Sequence, residues 1–477
     1  MGPCTDAGQP GPTNLPDGAV VHGTMLRQAL AWVVDAGIFH HLPVHGNTKW
    51  RPADLVVLAV LWVWSDGATL TAAFAEAARW AATLFGSAAL QSYQGLTGAL
   101  VTWTAQLLPL LWERLHRRME ECGHGHWRVG RWLALAVDGS RVSTPRTVSN
   151  EKAFCAPRYG TGKTAKYRPK KRPGRRRRHR KPEPVKPQIW TTLLWHMGLR
   201  LPWSWANGPS TSSERDHFRA LLREQTFPAD TLFCADAGFT GYDLWKAIRA
   251  AGHSFLIRVG ANVTLLRQLG YVQERHGVVY FWPDKAAKKQ SPPLVLRLLH
   301  FRAGRCRMSV VTNVLDEQHL SVEQARELYQ LRWGIELQFR TLKQTFGRRK
   351  LRSKTPERAL VELDWSLLGL TMVQLFAVKE RLALGEPPQH SSVALALRIL
   401  REMLDRRLEP PAPGEDLRAR LREATTDHYQ RKRSKRARYR PAYKDKPSAG
   451  NPKIIKAQRK HKRFLQQYLE QAAGRNP

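Results

Sequence analysis

Residues 328–346 read LYQLRWGIELQFRTLKQTF. At about 100° per residue in an α-helix, Tyr329, Arg332, Glu336 and Lys343 return to one stripe within roughly 60°. Leu328, Leu331, Ile335, Phe339, Leu342 and Phe346 gather on a neighbouring face. The pattern predicts one amphipathic helix that buries one side and presents a carboxylate between two cations on the other. A helix-borne metal ligand with phosphate-holding neighbours has this form. A plainer reading stands beside it, since Arg332 and Glu336 are four residues apart and such pairs commonly decorate solvated helix faces. Ser321 and Gln324 form a capping box at the start of the segment.

Upstream lie two further carboxylates in matching settings. Asp138 follows the apolar run Leu133–Val137 and precedes Gly139-Ser140; Asp236 follows Leu232–Ala235 and precedes Ala237-Gly238-Phe239. Each sits at the predicted end of a buried strand, where glycine permits a tight exit and close approach of a ligand to the backbone. Singly, each reads as a turn residue. Two such strand ends with a helical glutamate form a set that repels itself unless divalent cations neutralise it.

The remaining pattern organises the chain. Residues 1–22 are rich in Gly and Pro and are expected to be disordered. Met25–Phe39, Pro52–Trp64, Leu70–Phe85 and Gly95–Met119 predict a helical region over 23–125. Leu133–Val137, Ile189–Trp195, Leu199–Trp205, Thr231–Ala235 and Phe255–Val259 predict strands, interleaved with helices at Glu214–Glu224 and Tyr242–Ala251, so 126–355 is read as a mixed α/β sheet. Within it lie a basic loop over 160–187 and a β-rich insertion over 260–313. A helical region over 356–409 and a basic tail over 410–477 complete the chain.

Composition narrows the partner. Lys and Arg number 77 against 39 Asp and Glu, a formal net charge of +38. Lys166–Lys186 holds 12 Lys or Arg and one acid, and Arg431–Arg463 holds 15 and one, yet the rest of the chain is basic too. Such an excess needs a polyanionic partner or some other reason to exist, and nucleic acid is the leading candidate. The longest apolar run, Leu55–Trp64, is about half a bilayer span, so no membrane partner is expected. The five scattered cysteines fit a reducing compartment, and a bacterial cytoplasmic, nucleoid-associated location is expected.

The combination Asp138-Gly-Ser, Asp236-Ala-Gly-Phe and Tyr329-x2-Arg332-x3-Glu336-x6-Lys343, with Trp333 and Phe339-Arg340-x-Leu342-Lys343, resembles the signature of DDE insertion-sequence transposases of the "insertion sequence four" type. The resemblance implies an α/β ribonuclease H-like core over 126–355, with the insertion at 260–313, flanked by a helical DNA-binding domain and a helical C-terminal region. It implies that Asp138, Asp236 and Glu336 hold two Mg²⁺ ions, with Mn²⁺ as a substitute, for cleavage at transposon ends and transfer of the 3′-hydroxyl into target DNA. Tyr329, Arg332, Arg340 and Lys343 become phosphate-holding residues, Trp282 a base-stacking candidate against its ordinary reading as core, and Arg175, Arg176, Arg177 and Arg178 a DNA grip. The implied partners are the terminal inverted repeats, target DNA and a second copy in a synaptic homodimer. Two alternatives remain open from the residues: a metal-dependent nuclease of the same fold, and a non-catalytic DNA-binding protein derived from a transposase.

Two decoys are set aside. Gly160-Thr-Gly-Lys163-Thr164 lacks the earlier glycine and the strand of a phosphate loop, and Cys122-Gly-His124-Gly-His126 matches no common zinc spacing. If the first basic tract grips phosphates, deleting Arg172–Lys181 flattens the salt dependence of DNA affinity. An unchanged slope in a filter-binding titration returns the tract to an ordinary solvated loop.

Overall fold

Strand β1 (Leu133–Ser143) is the pivot of the sheet, pairing antiparallel with β2 (Gln188–His196) on one side and parallel with β4 (Thr231–Ala235) on the other. In this computed structural model, residues 21–43, 48, 50–86, 90–155, 186–275, 277–303, 306–426 and 450–473 are described. The tract containing Arg175–Arg178, the Gly160–Thr164 motif and most of the basic tail up to residue 449 lie outside them. Adding β3 (Leu201–Pro209) beside β2 and β5 (Ser254–Val259) beside β4 gives the order β3-β2-β1-β4-β5, with β1, β4 and β5 parallel. That is the ribonuclease H-like arrangement expected from the sequence. Helices α5 (Val148–Phe154), α6 (Glu214–Glu224) and α7 (Tyr242–Ala250) connect these strands.

The insertion extends this sheet. Strands β6 (Thr264–Arg267), β7 (Val278–Phe281), β8 (Leu294–Ala303) and β9 (Cys306–Thr312), with the short α8 (Asp284–Lys288), continue it through an antiparallel β5–β9 pairing. The outer edge is β10 (Lys453–Lys456), parallel to β6 and followed by α14 (Arg459–Ala473), so part of the tail returns to complete a ten-stranded sheet.

The period-two alternation of buried residues assigns the two faces of the sheet. Ala134 and Ala136 of β1, Leu232 and Cys234 of β4, and Leu256 of β5 join one core; Leu133, Leu135, Val137, Phe233, Ala235, Phe255 and Ile257 join the other. The first core also contains the N-terminal helices α1 (His22–Val33), α2 (Pro52–Trp64), α3 (Leu70–Phe85) and α4 (Tyr93–Gly123). It contains α9 (Val322–Leu331), α10 (Gly334–Gln344), α11 (Pro356–Ala383), α12 (Val393–Asp405) and α13 (Leu417–Glu423) as well. Residues 23–125 and 356–409, separate regions in the sequence reading, thus share one apolar core.

Helix α11 runs through that core. By length and composition it could cross a bilayer, but 94% of its most apolar window is buried within the fold. The Trp64 indole donates to the Gly369 carbonyl at 2.9 Å and the Trp365 indole to Thr104 at 2.9 Å, which ties α2 and α4 to α11. Asp364 accepts from Trp205 and Asn207 at 2.8 and 2.6 Å and ties α11 to β3.

The single helix expected over 328–346 is two. The α9 capping box forms as expected, with Ser321 and Gln324 exchanging hydrogen bonds. At Arg332-Trp333 the ladder tightens to three-residue bonds: Trp333 N–H to Gln330, Ile335 to Arg332 and Glu336 to Trp333. The cause is Trp195, fully buried on β2. A Cβ at Gly334 would lie 2.0 Å from its ring, so only glycine allows the indole this close to the backbone of α10.

The loop from α10 to α11 is locked by Glu362. This fully buried carboxylate accepts from the backbone N–H groups of Arg352 and Ser353 at 3.0 and 2.8 Å and faces the buried Arg348 guanidinium at 3.9 Å. Glu362→Ala leaves two donors and a cation unpaired and is expected to destabilise the fold by about 3–5 kcal/mol. Urea denaturation reads this directly; a loss below about 1 kcal/mol contradicts the lock.

Candidate active site

Asp138 lies inside β1, rather than at its end as the sequence suggested, since β1 runs on to Ser143 and Asp138 is opposite Leu193 of β2. The parallel pairing with β4 stops one residue earlier, at Val137 and Ala235. Asp138 and Asp236 therefore follow the last paired residues of adjacent strands, where the sheet opens. By alternation both belong to the face that carries Ala134, Ala136, Leu232 and Cys234, the face on which α9 and α10 pack. Short hydrogen bonds hold each carboxylate: Gly139 N–H donates to Asp138 at 2.9 Å and Gly238 N–H to Asp236 at 2.7 Å.

Helix α10 delivers Glu336 to this opening. Asp138 and Glu336 line one cavity of about 470 Å³ together with Ser140, Arg340, Lys343 and Arg349. Lys343 Nζ donates to Ser140 Oγ at 2.6 Å, so the lysine is anchored to β1 two residues beyond Asp138. Arg332 is buried, 3.7 Å from Glu336, with its guanidinium 5.4 and 5.3 Å from the Tyr329 and Trp333 ring centres. The site thus alternates acid and cation, with Arg332 fixed beneath and Arg340 and Arg349 exposed at the rim.

Burial sets the electrostatics of these acids, and their mutual repulsion adds to it. Burial, with further repulsion from Asp236 and Glu336, pushes Asp138 up to about 6, against opposing pulls from the Gly139 N–H and Arg332. A fourth carboxylate shares the effect: burial and repulsion from Asp138 and Asp236 push Glu214, the first residue of α6, up to about 7. Sequence reasoning missed Glu214, because an acid in the first turn of a helix is ordinarily explained by the helix dipole.

Two expected site residues are placed differently. Tyr329 is 1% exposed, and its hydroxyl has no hydrogen-bond partner among the described residues, so it cannot meet a DNA backbone as it stands. Trp282 is buried in the core of the insertion, where its indole donates to the Ser291 carbonyl at 2.8 Å; stacking a base there is excluded in this arrangement. The aromatic surface beside the acids is Trp333, 48% exposed at the tightened turn before Glu336. The Trp333 position was legible in the sequence, but one unbroken helix gave no reason to turn it outward.

Among the described residues no three acidic, histidine or cysteine side chains already converge on one metal position. Glu336 is paired instead with Arg332. The donor set nevertheless suits a hard divalent cation: carboxylate oxygens from Asp138 and Asp236, each following the last parallel β1–β4 pair, and from Glu336 on α10.

Comparison with known proteins bears on this site. The family model described as "Transposase DDE domain" matches residues 133–372. The transposase InsG of insertion sequence element IS4 from Escherichia coli (strain K12) is 30% identical over 267 residues, 54% of each chain. The chain therefore spans about half the length of that relative. A piggyBac transposase, solved by cryo-electron microscopy as a synaptic complex with hairpin DNA, aligns over 86% of this chain and 85% of its own at 11% identity. Its TM-score of 0.39 is too low to carry an argument.

Because the folded protein holds protons on Asp138 above the ordinary carboxylate value of 3.8, it binds more protons than the unfolded chain up to about pH 6, and stability falls as pH rises through that window. In metal-free buffer the melting temperature of the wild type is expected to fall relative to Asp138→Asn between about pH 4 and 7, and Mn²⁺ to close the gap by binding the wild type alone. Parallel pH profiles contradict the raised proton affinity that burial gives Asp138.

Proposed function

The chain belongs to the transposase DDE family, and from that premise we propose that it cuts DNA at the ends of its own mobile element and joins the freed ends to target DNA. One observation carries the reading: Asp138 and Asp236 each follow the last parallel pair of β1 and β4, on the same face of the sheet that receives Glu336 from α10. Enzymes of this family use divalent metal ions. Here the ligands are Asp138, Asp236 and Glu336, and the ions are two Mg²⁺, for which Mn²⁺ substitutes. When bound, they supply a lowered pKa for the attacking hydroxyl and charge stabilisation of the departing oxygen.

The protein's own groups do the rest. Lys343, steadied by Ser140, holds a phosphate oxygen beside Asp138, and Arg340 and Arg349 hold the backbone on either flank of the cavity. Arg332 keeps Glu336 near its working position and offsets part of the negative charge from below. Trp333, rather than Trp282, offers a ring face to a displaced base. In the first step a water oxygen attacks phosphorus, the bond to the 3′-oxygen breaks, and a 3′-hydroxyl is released. In the transfer step that hydroxyl attacks a target phosphodiester and a target 3′-oxygen departs. The number of phosphodiester bonds is conserved in transfer, so no nucleoside triphosphate is consumed. The DNA partners are the inverted repeats and the target, brought together by two copies of the chain.

Asp138→Asn is expected to lower cleavage of a duplex carrying the inverted repeats that flank the gene by at least about a thousandfold, while binding in a gel-shift assay is retained. A pre-cleaved end with a free 3′-hydroxyl is expected to give strand-transfer products with the wild type. Cleavage without transfer products makes the protein a nuclease of this fold, and full activity of Asp138→Asn refutes the site.

A further inference from the structure

We infer that Glu214 is a fourth acidic residue of the divalent-cation site, reaching the opening between β1 and β4 from the α6 side of the sheet. The inference rests on the proposed function, since it adds a ligand to the cation position read there from Asp138 and Asp236.

Geometry places the carboxylate. Gly139 follows Asp138 and, by alternation along β1, faces the opposite side of the sheet, where α6 packs through Phe218 and Leu221. A Cβ at Gly139 would lie 2.5 Å from Glu214 Oε1, and one at Gly238 would lie 3.7 Å from Glu214 Oε2. The two oxygens of Glu214 therefore lie beside Gly139, which follows Asp138, and Gly238, within the turn after Asp236. Glycine at 139 leaves the space the carboxylate fills.

Charge makes this position unusual. Among the described residues no hydrogen bond or ion pair holds the Glu214 carboxylate, and the acids Asp138 and Asp236 are its foremost charged neighbours. Two cations are within electrostatic reach and both are engaged elsewhere: Arg141 lies over the Trp190 ring at 4.2 Å, and Arg215 donates to the Thr240 carbonyl at 2.9 Å. A half-buried carboxylate close to two others, whose nearby cations are engaged elsewhere, is stabilised when a divalent ion joins them. On the α10 side of the same opening the buried Tyr329 hydroxyl has no hydrogen-bond partner among the described residues, and Arg332 and Asp236 are among the charged groups acting on it.

The test is Mn²⁺ binding to the full-length protein by isothermal titration calorimetry, without DNA. Glu214→Gln is expected to weaken Mn²⁺ by about tenfold or more, with Asp138→Asn as the reference for loss of the site. Gly139→Ala is expected to act the same way, because its methyl group displaces the Glu214 carboxylate without removing a charge, and to add nothing in a Glu214→Ala background. Wild-type affinity in Glu214→Gln, with binding lost in Asp138→Asn, overturns the role of Glu214 alone. Wild-type affinity in Asp138→Asn overturns the cation site itself. A Gly139→Ala effect that persists fully without Glu214 also counts against the inference, since it assigns the effect to the backbone.

Discussion

Negative charge concentrated where β1 outruns β4 is the constraint around which this structure is arranged. The sheet ends its parallel pairing at Val137 and Ala235, and the next residue on each strand is an aspartate. Alternation turns both toward the face that carries α10, and α10 adds Glu336. Repulsion among these groups is opposed by Arg332 below, but one cation on one side does not neutralise a cluster that has Glu214 near it on the other. The fold brings to one opening acids that would separate in a free chain, and a divalent cation is the partner that would draw them closer.

Holding them requires rigidity far from the acids. Trp195 presses on Gly334 and tightens the turn at Arg332-Trp333, which sets where Glu336 emerges and turns Trp333 outward. Beyond α10, Glu362 grips the connecting loop through two backbone donors and Arg348, so α10 is fixed at both ends. Helix α11 passes that order to α2 and α4 through the Trp64 and Trp365 hydrogen bonds and to β3 through Asp364. The N-terminal helices therefore share the packing that positions the acids, and strain in one region is felt in the other.

Much of this was legible in local pattern. Buried runs followed by Asp-Gly or Asp-Ala-Gly mark where the parallel β1–β4 pairing stops, though β1 itself runs on to Ser143, and the α9 capping box and the α6 helix formed where expected. What the sequence concealed depended on contacts between distant residues. A single 3.6-residue period spans 328–346, and nothing within it announces that an indole 139 positions earlier will force a turn at Gly334. Glu214 reads as a helix-start acid until Gly139 is seen beneath it. Tyr329 and Trp282 carry the right side chains for contact with DNA, yet tertiary packing buries both. The insertion and the tail strand merge with the main sheet because β5 and β6 offer unpaired edges, a property of the assembled sheet rather than of either segment.

The central claim is that the acids at the β1–β4 opening and on α10 share bound cations. Anomalous diffraction from crystals of the protein grown with Mn²⁺ tests it most directly. The account predicts anomalous peaks at about 2.0–2.2 Å from carboxylate oxygens of Asp138 and Asp236, with Glu336 drawn away from Arg332 toward the ions. Peaks confined to other surfaces, with Glu336 still paired to Arg332, contradict it.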